Sequence, residues 1–206
     1  MRRSDSSTPI EPRRFRFRIF PSPAALPLPV YRDFVAMLYS MWLPIFGLGI
    51  VFVGICLLVG RQLESRLLFA LAAAGALTTL LRLATIRAYS RAGPVSGFDD
   101  LRRWERRYAI GNHVFAILLA LLNIVAISAH YPLLHLITVS LVFSFGAGIV
   151  SRTSIRPNVC VTSLLLATLP TIAALALHAL ERHAMPLHAQ LFLVEALIVA
   201  MITALS

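Results

Sequence analysis

The chain has no lysine: all 19 of its basic residues are arginine. Charge of either kind is scarce. Only nine residues are acidic and 14% are charged, whereas 58% are hydrophobic. A domain of 206 residues in water needs a polar shell, and so little charge leaves lipid as the expected outer solvent. There are two cysteines, Cys56 and Cys160, both inside apolar runs, which excludes a disulfide framework. No H-E-x-x-H, G-x-S-x-G or phosphate-cradling glycine loop occurs, so the usual signatures of zinc peptidase, serine hydrolase and P-loop chemistry are absent. Ser144-Phe145-Gly146-Ala147-Gly148 is not a nucleophile elbow, because it lies within an apolar run with no base assigned to it. No catalytic residue and no cofactor site is expected in this chain. The formal charge of +10 sits between apolar runs and belongs to no nucleic-acid-binding module, so the expected partner is the lipid bilayer and not nucleic acid.

What is present is a series of long apolar runs. A helix needs about 20 apolar residues to cross a bilayer, because unsatisfied backbone groups in lipid are costly. On that measure the expected architecture is an all-α, polytopic membrane bundle of about six transmembrane helices. The expected spans are 34–60, 65–86, 108–129, 132–150, 157–180 and 189–206, preceded by a basic Pro/Arg-rich disordered tail over 1–33. Pro44 and Gly47 are candidate kinks in the first span. The second has a short uncharged core and reaches full length if Arg66 and Arg82 snorkel toward the two surfaces. An interfacial helix over 97–107 opens with Asp99 and Asp100, carries Arg102, Arg103, Arg106 and Arg107 toward its end, as the helix dipole favours, and runs into the third span. Trp104 and Tyr108 suit a headgroup boundary. His130-Tyr131-Pro132 suits a hairpin, since a residue before proline avoids helix.

Arginine placement sets the expected orientation. With the N-terminus inside, 16 arginines face the cytoplasm and Arg61, Arg66 and Arg182 face out, which implies N-in and C-in in a bacterial inner membrane.

Several side chains stand out within this frame. Glu195 in the sixth span is costly unless protonated, paired or wet, and is a sensing or structural candidate with Asn123 and Thr168 as possible partners. Ser140, Ser144 and Gly148 recur every four residues and would let two helices approach closely, either within one subunit or in a homodimer. His130, His135, His178, His183 and His188 fall on the outer side, and imidazole binds metals. Their spacing aligns on no single helix face and no carboxylate completes a ligand pattern, so no metal site is assigned. Arg152, Arg156 and Pro157 form a cytoplasmic-boundary turn that starts the fifth span.

Two stretches carry a family resemblance. One is Trp104-Glu105-Arg106-Arg107-Tyr108-Ala109-Ile110-Gly111. The other runs Phe145-Gly146-Ala147-Gly148-Ile149-Val150-Ser151-Arg152, then Arg156-Pro157 and, after an apolar run, Leu169-Pro170. Together they resemble the N-terminal membrane region of bacterial GGDEF proteins, which are diguanylate cyclases often fused to EAL domains. The resemblance covers about half the chain, from Leu101 onward, and implies a membrane input module for cyclic-di-GMP signalling, working as a homodimer on a signal left open. The Gly-Gly-Asp/Glu-Glu-Phe and Glu-x-Leu motifs are absent, so none of the family's catalytic residues carries over. The uncharged end at Ser206 is expected to continue into a cytoplasmic domain. The alternative from another class is a small transporter or channel subunit, for which Glu195 and Asn123 would line a shared cavity.

The orientation is testable by single-cysteine labelling in a background lacking Cys56 and Cys160. A cysteine replacing Ser154 should be protected from an impermeant reagent applied outside intact cells, and one replacing Glu64 should react. Outside labelling at position 154 would overturn the N-in, C-in arrangement.

Overall fold

The computed structural model describes residues 27–93, 97–129, 132–153 and 156–181. Among these the chain is helical, in six segments. They are α1 (Leu28–Ser40), α2 (Trp42–Gln62), α3 (Arg66–Ala92), α4 (Phe98–Ser128), α5 (Pro132–Thr153) and α6 (Pro157–Glu181). Five stretches are long and apolar enough to cross a membrane, with α1 and α2 together forming one of them. The expected sixth span, 189–206, and most of the tail lie outside the described residues.

The first span, expected to kink at Pro44 and Gly47, is divided just ahead of them. A helix running through Pro44 would drive the proline ring into the carbonyl of Ser40. The backbone instead breaks at Met41 (φ −96°, ψ 73°), which places Pro44 in the first turn of α2, where a missing N–H costs nothing. The site of bending is therefore Met41, ahead of Pro44 and Gly47. With 21 residues, α2 is about 31 Å long and spans a hydrocarbon core of about 30 Å without help from α1. Freed from crossing, α1 starts at Leu28, earlier than the 34 expected for ordered structure, with Pro29 in its first turn.

Two turns show how the chain reverses. Between α2 and α3, Glu64 adopts a left-handed φ of 49°, and Leu63 N and Ser65 N donate to Val59 O at 2.9 Å and Gly60 O at 3.1 Å, which satisfies two carbonyls of the last turn of α2. Gly93, with φ 71°, ends α3 in a conformation that a Cβ would strain.

The hub is α4. Its most apolar window is 56% buried, against 33–39% for the other four stretches. It packs on α1, α3, α5 and α6, while α2 packs on α3 and α5. At 31 residues, about 46 Å, it outruns the hydrocarbon, and the surplus is its charged N-terminal end. The main core joins Phe52, Cys56 and Leu68 to Phe115, Leu119 and Leu122 of α4, and to Phe145, Leu164 and Ala167. A second cluster gathers Tyr31, Phe34, Val35, Leu38 and Tyr39 of α1 with Leu101 and Tyr108 of α4. The outward surface is apolar, with Leu43, Leu58, Leu80, Leu169 and Leu177 all exposed. In water such a surface would aggregate, whereas in lipid it needs no cover.

Close approach of α2 and α3 depends on two glycines. A Cβ on Gly75 would fall inside van der Waals contact of the fully buried Phe52 ring, and one on Gly49 would meet the Thr79 side chain. A Cβ on Gly54 meets nothing within 4 Å. Gly75→Ala should therefore destabilise the detergent-solubilised protein by about 1–3 kcal/mol, the usual cost of overpacking. Gly54→Ala should change it little or stabilise it slightly. Denaturant titration followed by circular dichroism would show the contrast, and equal effects of the two would refute this packing.

Candidate functional site

In an apolar solvent a polar side chain is held by other polar groups or it is expensive. Among the described residues, one group of polar side chains is arranged as two rungs between α4 and α6. The lower rung is Glu105 with Arg156. Arg156 Nε lies 3.1 Å from Glu105 Oε1, with side chains 11% and 15% exposed. Glu105 Oε2 also accepts a hydrogen bond from the Tyr31 hydroxyl, and the Arg156 guanidinium sits 5.1 Å from the centre of the Tyr31 ring. The Nε–H of Arg156 is not aimed at the carboxylate, so charge and ring contact hold the pair more than a directed hydrogen bond does. Three elements thus meet at one carboxylate: α1, α4 and the start of α6. Arg156 can reach back because it precedes Pro157, the first residue of α6. Its own carbonyl caps that helix, accepting from Val159 N at 3.1 Å and Cys160 N at 3.2 Å.

Seven residues further along both helices comes the upper rung. Asn112 Nδ2 donates to Ser163 Oγ at 3.2 Å, and Ser163 Oγ donates to Val159 O at 2.8 Å. On its other side Asn112 Oδ1 accepts from Arg82 Nη2 of α3 at 3.0 Å. Arg82 is only 8% exposed. Its guanidinium lies 5.6 Å from the centre of the Phe115 ring and 6.0 Å from that of Tyr108. The side chain crosses α4 at Gly111, where an added Cβ would come within 3.0 Å of Arg82 Cγ. The expectation that Arg82 snorkels to the surface is thus corrected. Its partners lie inward, and an inward guanidinium with an amide acceptor and two ring faces is compensated without reaching water.

Four aromatic rings close the space between the rungs and α1. Tyr39 stacks on Tyr89 with centroids 4.4 Å apart and meets Trp104 and Tyr108 edge-on. The Tyr39 hydroxyl donates to Trp104 O at 2.9 Å. Below them, Ile45, Arg82, Tyr108, Asn112, Ser144 and Gly148 border a cavity of about 60 Å³. That is room for one or a few waters beside polar partners.

The structure distributes the residues singled out from sequence unevenly. Asn123 is fully buried in α4 but three turns beyond the rungs. Its Nδ2 donates to Leu119 O at 2.9 Å, and its Oδ1 has no partner among the described residues. Thr168 turns its hydroxyl onto Leu164 O at 2.8 Å. Ser140 and Ser144 are exposed and Gly148 is half-buried, while the close contact from α5 is made by Gly146, against Leu164. His135 is buried with Nε2 3.1 Å from Ile127 O, linking α5 to the end of α4. Among the described residues no three of His, Cys, Asp and Glu come together as metal ligands. Glu195, His130, His183 and His188 lie outside the described residues, as do the side chains of His178, Arg152 and Pro157. Asn112, Ser163 and Tyr31 were not singled out from sequence. The available signal was polar residues in apolar runs, seven positions after Glu105 and after Arg156.

Two asparagines on one helix allow a controlled comparison. Asn112→Leu removes the acceptor from a buried guanidinium, and should cost about 1–3 kcal/mol. That exceeds the roughly 0.6 kcal/mol average for interhelical hydrogen bonds in membranes, because one partner is charged. Asn123→Leu removes a buried, unsatisfied Oδ1 and should be neutral or stabilising. Unfolding in mixed detergent micelles would rank the two variants, and the reverse order would contradict the rung description.

Comparison of the chain with protein families, with curated proteins and with solved structures gives no match.

Proposed function

We propose that this chain is the membrane-embedded input module of a signalling protein, with six spans, both ends in the cytoplasm of a bacterial cell, and a homodimeric cytoplasmic output of the GGDEF type. One observation carries the reading. The two segments on which the family resemblance rests, 104–111 and 145–170, are joined by the Glu105–Arg156 pair. Segments far apart in sequence that meet through a charged pair behave as one unit, and a unit that can be locked or unlocked is what an input module needs.

The chemistry of the unit suits switching. In this reading the partly buried ion pair, the tyrosine hydroxyl and the stacked guanidinium are together in one state and apart in the other, and separation is resisted because it leaves an uncompensated charge. Engagement of α1 by a signal would pull Tyr31 from Glu105 and weaken the hold on Arg156. The shift of α6 would then pass to the sixth span and to the output. The transporter alternative finds less support, since Asn123 is fully buried with its Nδ2 donating to Leu119 O of its own helix.

Expression from the complete gene, in a bacterial strain stripped of its own cyclases, tests the proposal with a cyclic-di-GMP reporter. The wild type should change the reporter level, and Glu105→Gln should shift that level several-fold while membrane abundance stays the same. An unchanged reporter with well-expressed wild type would remove the reading. A response identical in Glu105→Gln would remove the pair from the mechanism.

A further inference from the structure

Two grooves among the described residues differ in their chemistry. One, of about 400 Å³, lies between α2 and α3 and is bordered by Phe46, Ile50, Val53, Leu57 and Leu80, with no charged residue. The other, of about 520 Å³, lies between α3 and α4, within the usual range of about 300–1,000 Å³ for ligand sites. Its floor is apolar, formed by Leu81, Ile110 and Val114. Its other end carries Arg107 and Trp104, with Arg82 at the base, and no carboxylate borders it among the described residues.

These groups are already positioned. The Arg107 guanidinium lies 4.8 Å from the centre of the Trp104 ring, which holds an otherwise exposed side chain at the mouth. The two threonines in the groove wall, Thr78 and Thr85, direct their hydroxyls to Ala74 O and Arg82 O, which leaves the Arg107 guanidinium at the mouth as the charged donor for an anion. Trp104 marks the headgroup level, where an amphipathic ring is most favourable. A basic mouth at headgroup depth above an apolar trough complements one molecule, a lipid with a negative head.

We infer that the groove between α3 and α4 is a binding site for an anionic phospholipid, its phosphate at Arg107 and one acyl chain along Leu81, Ile110 and Val114. A zwitterionic lipid offers the same chain but brings its own cation to the mouth, so it binds less well. The site is independent of the signalling reading, because it requires only the folded bundle.

Purified full-length chain in a non-ionic detergent would be titrated with dioctanoyl phosphatidylglycerol, dioctanoyl phosphatidylcholine and inorganic phosphate, with bound lipid read by native mass spectrometry. Phosphatidylglycerol should be retained over phosphatidylcholine. Arg107→Ala should weaken it about fivefold, equivalent to about 1 kcal/mol for one basic side chain beside an anionic lipid. Arg103→Ala, on the same helix but exposed and paired with Asp100, should leave it unchanged. Equal retention of both lipids, equal loss in Arg103→Ala, or displacement of the lipid by inorganic phosphate would each overturn the assignment. If Arg107→Ala cannot be purified, brominated phosphatidylglycerol should quench Trp104 fluorescence in Trp42→Phe protein. Equal quenching by brominated phosphatidylcholine would overturn the site.

Discussion

A guanidinium inside an apolar bundle has to be held, and the amide of Asn112 holds that of Arg82. Much of the interior follows from this contact. Asn112 must face α3 with its oxygen and α6 with its nitrogen, which fixes the rotation of α4 about its axis. That rotation places Phe115, Leu119 and Leu122 in the main core and presents Glu105 to α1 and α6. Gly111 must be small because Arg82 passes over it. Apolar packing in lipid has little directional preference, so a few hydrogen bonds select one rotation among several of similar packing energy.

The aromatic cluster extends this constraint to α1. Thirteen residues of helix cannot cross a bilayer, so α1 is fixed by its contacts with α4. Tyr31 reaches Glu105, and Tyr39 reaches the backbone of Trp104 and the ring of Tyr89. Each tyrosine uses its apolar ring for contact and its hydroxyl for a hydrogen bond, which suits a boundary where one side is wet and the other is not. The arrangement brings the Arg-rich end of the bundle together around a single carboxylate.

Much of the helical layout was legible in the sequence, because long uncharged runs between arginines have few alternatives in lipid. Pro157 as a helix start and Asp99 and Asp100 in a first turn were readable from local rules. The break at Met41 was displaced from Pro44, since a proline disturbs the helix toward its N-terminal side and the sequence does not say which residue yields. The interior polar set was less legible. Arg82 looked like a boundary residue because its partner lies on another helix, and pairing between helices leaves no mark in local periodicity. Asn123 stood out as the more central asparagine, yet the rungs use Asn112, which aligns with Ser163 only once α4 and α6 lie side by side.

The seven-residue spacing of the rungs has a mechanical consequence. Straight α-helices drift by about 20° per heptad, so α4 and α6 can make both Glu105–Arg156 and Asn112–Ser163 only if they wrap slightly around each other. Moving α6 along α4 by one turn would put Ala167 opposite Asn112 and Cys160 opposite Glu105, losing both contacts in the same step. The pair therefore resists small sliding and, once it yields, has no intermediate position to stop at. In engineering terms it is a detent, a notch that turns a graded push on the helix into a discrete step.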